Sequence, residues 1–261
     1  MSRVNEFAQQ YIAYSLRPYI YKNTERFAWK NYLRIVYNDA LTFDPKTKKG
    51  GMKANFQFRE VARTPQFYDL QLLAQELIYK KQQEDQVLEQ LSLADYFTAA
   101  AFLVVREAEG PNILDDIDFG RKDATSASEA GSISNIPNAD GQYANKLREK
   151  GFDDNEIVAL AAIHAFGTVW DPKKLDISKY PKLDNYYYKT LLSSKDPVVL
   201  QRELTSDDAL RVIVEKYAQD QKAFHDAFGK AMIKLTHLGH ESLNATENLF
   251  EAMPAPLRAY F

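Results

Sequence analysis

The residue with the clearest chemical potential in this sequence is His164, which lies on the apolar face of a predicted helix. Within residues 153–166, "DDNEIVALAAIHAF", it follows Ile157 and Leu160 at helical spacing. The residues beside it are mostly alanine, including Ala161. Small neighbours around an inward-facing imidazole leave room for a flat group to approach the helix. A histidine satisfied within the core would give the same pattern, and these residues alone leave both possibilities open.

The other three histidines do not predict a metal site. His237 and His240 are three residues apart at the end of a predicted helix, beside Gly239, with no acidic residue at ligand spacing. This pattern is typical of a basic helix C-terminus, which the helix dipole favours. His225 lies on a charged helix, and we expect it to be exposed.

The segments that must position these side chains predict an all-α fold. Glycine is scarce, at 10 of 261 residues, and long stretches rich in Gln, Glu, Lys, Leu and Ala favour helices. Helical periodicity is present over residues 70–90, 92–108, 153–166, 206–218 and 221–238. Two of these open with helix-start signals: Ser92 is followed by Asp95, and Asp153 by Glu156. No internal repeat or β-hairpin signal is present.

Two irregular stretches divide these helices. Residues 110–145 are dense in Gly, Pro, Ser, Asn and Asp and predict a long connection, while residues 171–185 are rich in turn-forming residues. A long connection in a compact domain is usually functional or a boundary. The sequence therefore predicts two helical lobes around a central loop.

Composition excludes several classes of function. The net charge of −3 gives no electrostatic footprint for nucleic acid. No apolar run approaches the roughly 18–20 residues that a membrane span needs. Cysteine is absent, which excludes disulfides and Cys-ligated clusters. The first twenty residues contain no signal-peptide core.

Seven blocks, collinear from about residue 30 to 240, resemble the class I haem peroxidases, the ascorbate and cytochrome c peroxidase group. They are "RIVYNDALTFDPKTKKGG" (34–51), "LSLADYFTAAAFLVVREAEGPNI" (91–113), "FGRKDA" (119–124), "NIPNAD" (135–140), "DDNEIVALAAIHAFG" (153–167), "LDNYYYKTLL" (183–192) and the segment 203–239. No single block decides the resemblance, but all seven occur in register.

The resemblance implies an all-α fold of about ten helices in two lobes, with haem b in a cleft between them. It implies a single peroxidase-like domain over residues 1–261. The distal lobe would span about 20–145 and the proximal lobe about 146–240, with terminal extensions at 1–20 and 241–261. By motif match, His164 would be the proximal iron ligand. Asp207 would accept the other imidazole N–H and make the imidazole more basic.

On the oxygen-binding side, the resemblance implies that Arg34 is the distal charge stabiliser. Asn38 stands where such enzymes have their catalytic histidine, and an amide cannot take and return a proton. Tyr37 replaces the distal tryptophan that faces the cofactor. Asp39 is adjacent to Asn38, but neighbouring residues on a helix point about 100° apart, so we expect it to face elsewhere.

Further departures lie beyond this pair of sites. The family's Asn that orients the distal histidine would fall near residues 66–68, "QFY", without a match. The basic stretch that follows the proximal histidine becomes Thr168, Val169 and Trp170, and Trp170 does not align with the family's proximal Trp.

Three interpretations follow. The first is a degenerate peroxidase whose turnover is lost or very slow, with a binding or structural role, as a subunit of a larger organellar complex. The second is an active haem enzyme that reduces hydrogen peroxide with an unusual distal pocket. The third is a helical scaffold whose match is coincidental. Family analogy favours a mitochondrion or plastid. Residues 11–32 and the C-terminal "FEAMPAPLRAYF" would be docking extensions to protein partners.

Overall fold

The computed structural model of the chain describes residues 11, 13–18, 20, 31–84, 86–89, 91–137, 142–167, 182–193 and 199–243. No described residue forms a β-strand. Twelve α-helices have both ends within residues 31–243, against about ten expected, and residues 13–18 are also helical. The all-α prediction is therefore confirmed. Trp170, most of the turn-rich stretch 171–185 and most of both terminal extensions lie outside the described residues, and the lobe limits remain predictions.

Five α-helices form the first half of the described chain. They are α1 (Asn31–Leu41), α2 (Arg59–Ala62), α3 (Gln71–Lys81), α4 (Gln86–Glu89) and α5 (Leu93–Glu107). The expected single helix over 70–90 is wrong, because the chain turns at residues 82–84 between α3 and α4. The apolar stripe ends at Ile78, and Gln82 and Gln83 are exposed, so no buried face holds the helix together there.

The buried helix α5 matches its prediction closely. The Ser92 hydroxyl accepts a hydrogen bond from the Asp95 amide at 3.0 Å and so caps the first turn. Every residue from Ala94 to Val105 is buried. A helix that is apolar nearly all round lies at the centre of its domain, as the sequence indicates for this segment.

The second half of the chain contains seven α-helices. They are α6 (Tyr143–Glu149), α7 (Asp154–Leu160), α8 (Ala162–Gly167), α9 (Tyr186–Ser193), α10 (Val199–Ser206), α11 (Asp208–Gln219) and α12 (Gln221–His237). Asp153 and Glu156 form the predicted capping box at the start of α7. The predicted helix 153–166 is interrupted at Ala161. There the His164 amide donates to the Ala161 carbonyl, three residues back, at 3.1 Å, so the local winding is tighter than in an α-helix.

The long connection between α5 and α6 is irregular, as predicted, and is held by single-turn 3₁₀ segments at Leu114–Asp116, Ala127–Glu129 and Ile133–Asn135. It is anchored by a buried ion pair between Arg121 and Asp95, 2.9 Å apart. Arg121 also donates to the Thr236 carbonyl at 2.8 Å, and Asp123 accepts from the amides of the first turn of α5 at 2.8 Å. The "GRKD" block thus ties the loop to α5 and α12.

Helix α1 lies in the middle of the packing. It contacts α5, α8 and α12, and α12 in turn packs along α7. Beside it, the chain passes close to the end of α12, where the Met52 amide donates to the Leu238 carbonyl at 2.9 Å. Gly51 adopts a φ of +95° there, and a Cβ would collide with the Leu238 carbonyl. These contacts place α1, with its candidate site residues, directly against α8.

Candidate functional site

The structure brings Tyr37 of α1 and His164 of α8 into direct contact. Their ring centroids are 5.1 Å apart with an angle of 84° between the ring planes. A second tyrosine, Tyr143 at the start of α6, approaches the same imidazole at 5.9 Å and 76°. Edge-to-face packing at these distances is a favourable arrangement of aromatic rings. His164 is therefore held between two tyrosine rings.

Sequence reasoning missed Tyr143, because it lies within the stretch 110–145 that is predicted to be irregular, whereas the structure begins α6 at this residue, and no motif marks it. Tyr143 is fully buried, and its hydroxyl donates to the Ile157 carbonyl at 3.0 Å. Tyr37 is equally buried, and its hydroxyl lies near that of Tyr143 without forming a hydrogen bond. Burial raises the pKa of both phenols, so both remain protonated at any physiological pH.

The His164 imidazole is neutral at pH 7. Burial, with a smaller contribution from the nearby positive charge of Arg34, lowers its pKa from the ordinary value of 6.5 to about 4. Its Nε2 atom is buried and has no hydrogen-bond partner. A neutral imidazole nitrogen with a free lone pair is chemically able to bind a metal ion.

Arg34 is engaged at the edge of the site. Its guanidinium forms an ion pair with Asp69 at 2.9 Å and a hydrogen bond with the Asn31 side chain at 3.3 Å. The Arg34 side chain is 19% exposed and that of Asp69 57% exposed, so the pair faces solvent. Arg34 still acts electrostatically on His164, but its donors are directed to Asp69.

Asn38 is fixed by a single strong contact. Its Nδ2 donates to the Gln66 carbonyl at 2.7 Å, and the residue is buried. This contact falls on the loop where the resemblance places the family's orienting asparagine. The hydrogen bond therefore connects Asn38 with residues 66–68, the two distal positions at which the sequence departs from the family pattern. A hydrogen bond between an amide and a carbonyl cannot transfer a proton in catalysis.

Asp39 faces away from Asn38, as expected from helix geometry. Its carboxylate accepts hydrogen bonds from the amides of Lys53, Ala54 and Asn55, at 3.0, 2.7 and 2.7 Å. Burial raises the pKa of Asp39 to about 7, and these bonds oppose the rise. Asp39 therefore anchors the loop after α1 and contributes nothing to the His164 side.

Asp207 lies at the start of α11. It accepts hydrogen bonds from the amides of Ala209 and Leu210 at 2.9 and 3.1 Å, as a helix cap does. Its charge acts on the pKa of Arg148 and is absent from the charges that act on His164. The structure does not bring Asp207 and His164 together, and their pairing stays a prediction.

The remaining histidines are structural in the described chain. His225, expected to be exposed, is part-buried, with Nε2 2.8 Å from the Leu183 carbonyl. His240 Nε2 lies 2.7 Å from the Met52 carbonyl, and His237 Nε2 lies 3.1 Å from a carboxylate oxygen of Asp118. Over the described ranges, no group of three or more His, Cys, Asp or Glu side chains could hold a metal ion.

The space that haem would need between α1 and α8 is filled by side chains. A ring stacked on one face of haem needs about 3.5 Å of contact distance. An imidazole that ligates the iron from the other face has its ring centre about 3 Å from the metal, so the two ring centres would stand roughly 6–7 Å apart. Tyr37 and His164 are 5.1 Å apart, centroid to centroid. The free Nε2 of His164 suits an iron ligand, but the separation of the two rings is smaller than a bound haem requires. In this arrangement the residues do not fit haem.

Comparisons with known proteins agree with the fold. Residues 16–220 match the model of the family described as peroxidase. L-ascorbate peroxidase 5, peroxisomal, from Arabidopsis thaliana is 30% identical over 222 residues, covering 79% of this chain and 75% of the relative. The cytosolic L-ascorbate peroxidase 1 of Oryza sativa subsp. japonica is 28% identical, covering 79% of this chain and 84% of its own length.

A third relative is a longer protein. The probable L-ascorbate peroxidase 8, chloroplastic, of Oryza sativa subsp. japonica is 31% identical over 178 residues, and the match covers 57% of this chain but only 37% of that protein. Taken with the helical fold, these matches define a class: the chain belongs to the peroxidase family, and its similar relatives are ascorbate peroxidases. No helix in the described part of the chain has the length and apolar character to cross a membrane.

Proposed function

We propose that this chain is a degenerate peroxidase, in which the fold is retained and peroxidase turnover is lost or very slow. Its role would be binding or structural, as a subunit of a larger assembly. The observation that carries the proposal is the contact between Tyr37 and His164, 5.1 Å apart, which occupies the place of the cofactor.

The distal side supports the same conclusion. Peroxide cleavage needs a base that takes a proton and returns it to the leaving oxygen, and general acid–base catalysis is worth about 10²–10⁴ in rate. Asn38 cannot do this, and its amide is already bonded to the Gln66 carbonyl. Arg34, which could stabilise separating charge, is paired with Asp69.

A second candidate function is an active haem peroxidase with an unusual distal pocket. The buried, unpartnered Nε2 of His164 favours it, because leaving such an atom unsatisfied costs about 1–3 kcal/mol. This candidate requires the Tyr37 ring to leave the His164 face when the cofactor binds. The two candidates therefore make opposite predictions about Tyr37.

The test is expression with haem supply, followed by an absorption spectrum before and after peroxide. We expect the native chain to show no Soret band and Tyr37→Ala to gain one that His164→Ala abolishes. Tyr79→Ala serves as control, because Tyr79 is 63% exposed on α3 and its loss leaves the site closed. A native Soret band that changes within seconds of adding peroxide would overturn the proposal in favour of the second candidate.

The compartment is also a proposal. The relatives carry chloroplastic, peroxisomal and cytosolic names, and a mitochondrion or plastid remains the prediction for this chain. A fluorescent fusion of the native protein, imaged beside organelle markers, would test it.

A further inference from the structure

A cavity of about 160 Å³ lies between α2 and α3, separate from the Tyr37–His164 contact. Its floor is apolar and includes Phe56, Phe67 and Ile78. Phe56 packs against Phe97 of α5 with ring centroids 4.5 Å apart, so the floor is braced by the buried core. The cavity is thus part of a rigid surface and not a gap between loose side chains.

The charged side chains that line the cavity are all positive. Arg59 and Arg63 both contribute to it, and no carboxylate does. Neither guanidinium forms a hydrogen bond or ion pair with any described residue, whereas Arg34, Arg121 and Arg148 elsewhere in the chain each have an acidic partner. Both arginine residues are exposed and hydrated in the free protein, and a ligand carboxylate beside the apolar floor could form charge-assisted hydrogen bonds with them.

Two of the three glutamine side chains that line the cavity already form hydrogen bonds, and the third, Gln75, is exposed. Gln71 donates to the Ala62 carbonyl at 2.6 Å, and Gln57 donates to the Ala124 carbonyl at 3.3 Å. The first bond ties α3 to α2, and the second ties the segment before α2 to the long connection after α5. The two arginines are the charged groups of the lining, and they would select for the charge of a ligand.

We propose that this cavity binds a small organic anion: a carboxylate carried on one aromatic ring or a short branched chain. Its volume suits such a ligand, since an apolar cavity of about 150 Å³ accommodates one benzene ring. The ring would lie on Phe56 and Phe67, and the carboxylate would meet Arg59 and Arg63 at the mouth. The proposal does not depend on haem or on the state of His164.

The test is titration of the full chain with 3-phenylpropionate, followed by calorimetry or by amide chemical shifts. We expect one saturable site with a Kd in about the millimolar range, which is typical of a ligand this small. The neutral 3-phenylpropanamide should bind about tenfold more weakly, because it has no charge for the arginines. Arg59→Gln with Arg63→Gln should weaken 3-phenylpropionate to the level of the amide.

Two further variants keep the result interpretable. Lys189→Gln with Lys230→Gln removes the same amount of charge from exposed sites elsewhere and should leave the Kd unchanged. Ala62→Leu narrows the cavity and should abolish binding of both ligands, while circular dichroism confirms that each variant is folded. Absence of a saturable site, equal affinity for the amide, or an unchanged Kd in the double arginine variant would each overturn the proposal.

Discussion

At the scale of single residues, the site is defined by what surrounds one imidazole. His164 has tyrosine rings at 5.1 and 5.9 Å and a buried Nε2 without a partner. Such a residue is stable only in its neutral form, because burial penalises the charged one. Its ionisation is consequently linked to the stability of the whole chain.

The first prediction concerns the pH dependence that this linkage produces. The pKa of His164 is about 4 in the folded chain and about 6.5 unfolded, so the unfolded state binds the extra proton first. The contribution of His164 to the free energy of unfolding is fully present above pH 6.5. It falls by about 3 kcal/mol as the pH decreases toward 4. Urea unfolding of the native chain and His164→Gln, measured from pH 7.5 to 4, should show the native curve falling more steeply.

One result of this comparison would contradict the prediction. Native and His164→Gln curves that run parallel across this range would mean that His164 is protonated or solvated in the folded chain. Burial also lowers the pKa of His240 to about 4, so the variant retains part of the slope. The informative quantity is the difference between the two curves.

The sequence indicates part of this site and not the rest. The spacing of Ile157 and Leu160 correctly turns His164 inward, since a helical period is a local property. The contact with Tyr37 is not local, because it depends on how closely α1 and α8 pack. The Asp207 cap is local, because Oδ1 accepts from the amides of Ala209 and Leu210 in its own helix. Whether the carboxylate reaches His164 depends on tertiary structure, which the sequence does not display.

At the scale of elements, α5 is held by a helix cap and by a buried ion pair, which differ in their contribution to stability. Ser92 caps its first turn, and Asp95 pairs with the buried Arg121 at 2.9 Å. A helix cap is worth about 1 kcal/mol. Removing one partner of a buried ion pair costs about 3–5 kcal/mol, because the other charge stays buried without compensation.

The second prediction follows from that difference. Asp95→Asn should lower the free energy of unfolding by about 3–5 kcal/mol, and Ser92→Ala by about 1 kcal/mol. Both are measured by urea denaturation at pH 7, with the m-value checked for a common unfolded state. Similar losses in the two variants would show that the Arg121 charge is compensated by its bonds to Thr236 and the loop carbonyls.

Helix starts were more predictable than helix interruptions. The cap at Ser92 and the capping box of Asp153 and Glu156 use residues three positions apart, which a sequence displays directly. The break at Ala161 has no such signal, because alanine is the best helix former. It arises where α8 must turn to pack against α1.

At the scale of the whole molecule, α1 packs against α5, α8 and α12, and the contact between Tyr37 and His164 lies within that packing. Under the proposed function, hemin does not bind the folded chain and therefore does not stabilise it. A ligand that binds only the folded state raises its stability by about 2.7 kcal/mol at a concentration 100 times its Kd.

The third prediction applies this relation to hemin. An excess of hemin should leave the thermal midpoint of the native chain unchanged, and should raise that of Tyr37→Ala. Differential scanning calorimetry gives the midpoints, with His164→Ala in the Tyr37→Ala background as the control for nonspecific adsorption. A rise in the thermal midpoint of the native chain that is absent in His164→Ala would show that the Tyr37 ring moves away when hemin binds.

The link between the loop after α1 and the end of α12 also bears on how the protein is made. The Met52 amide bonds to the Leu238 carbonyl, and the His240 ring bonds to the Met52 carbonyl. During translation the loop at residues 50–53 cannot form these bonds until the chain has been synthesised past residue 240. Until then the surface that packs against the end of α12 stays exposed on the nascent chain, and exposed apolar surface of this kind is prone to aggregate.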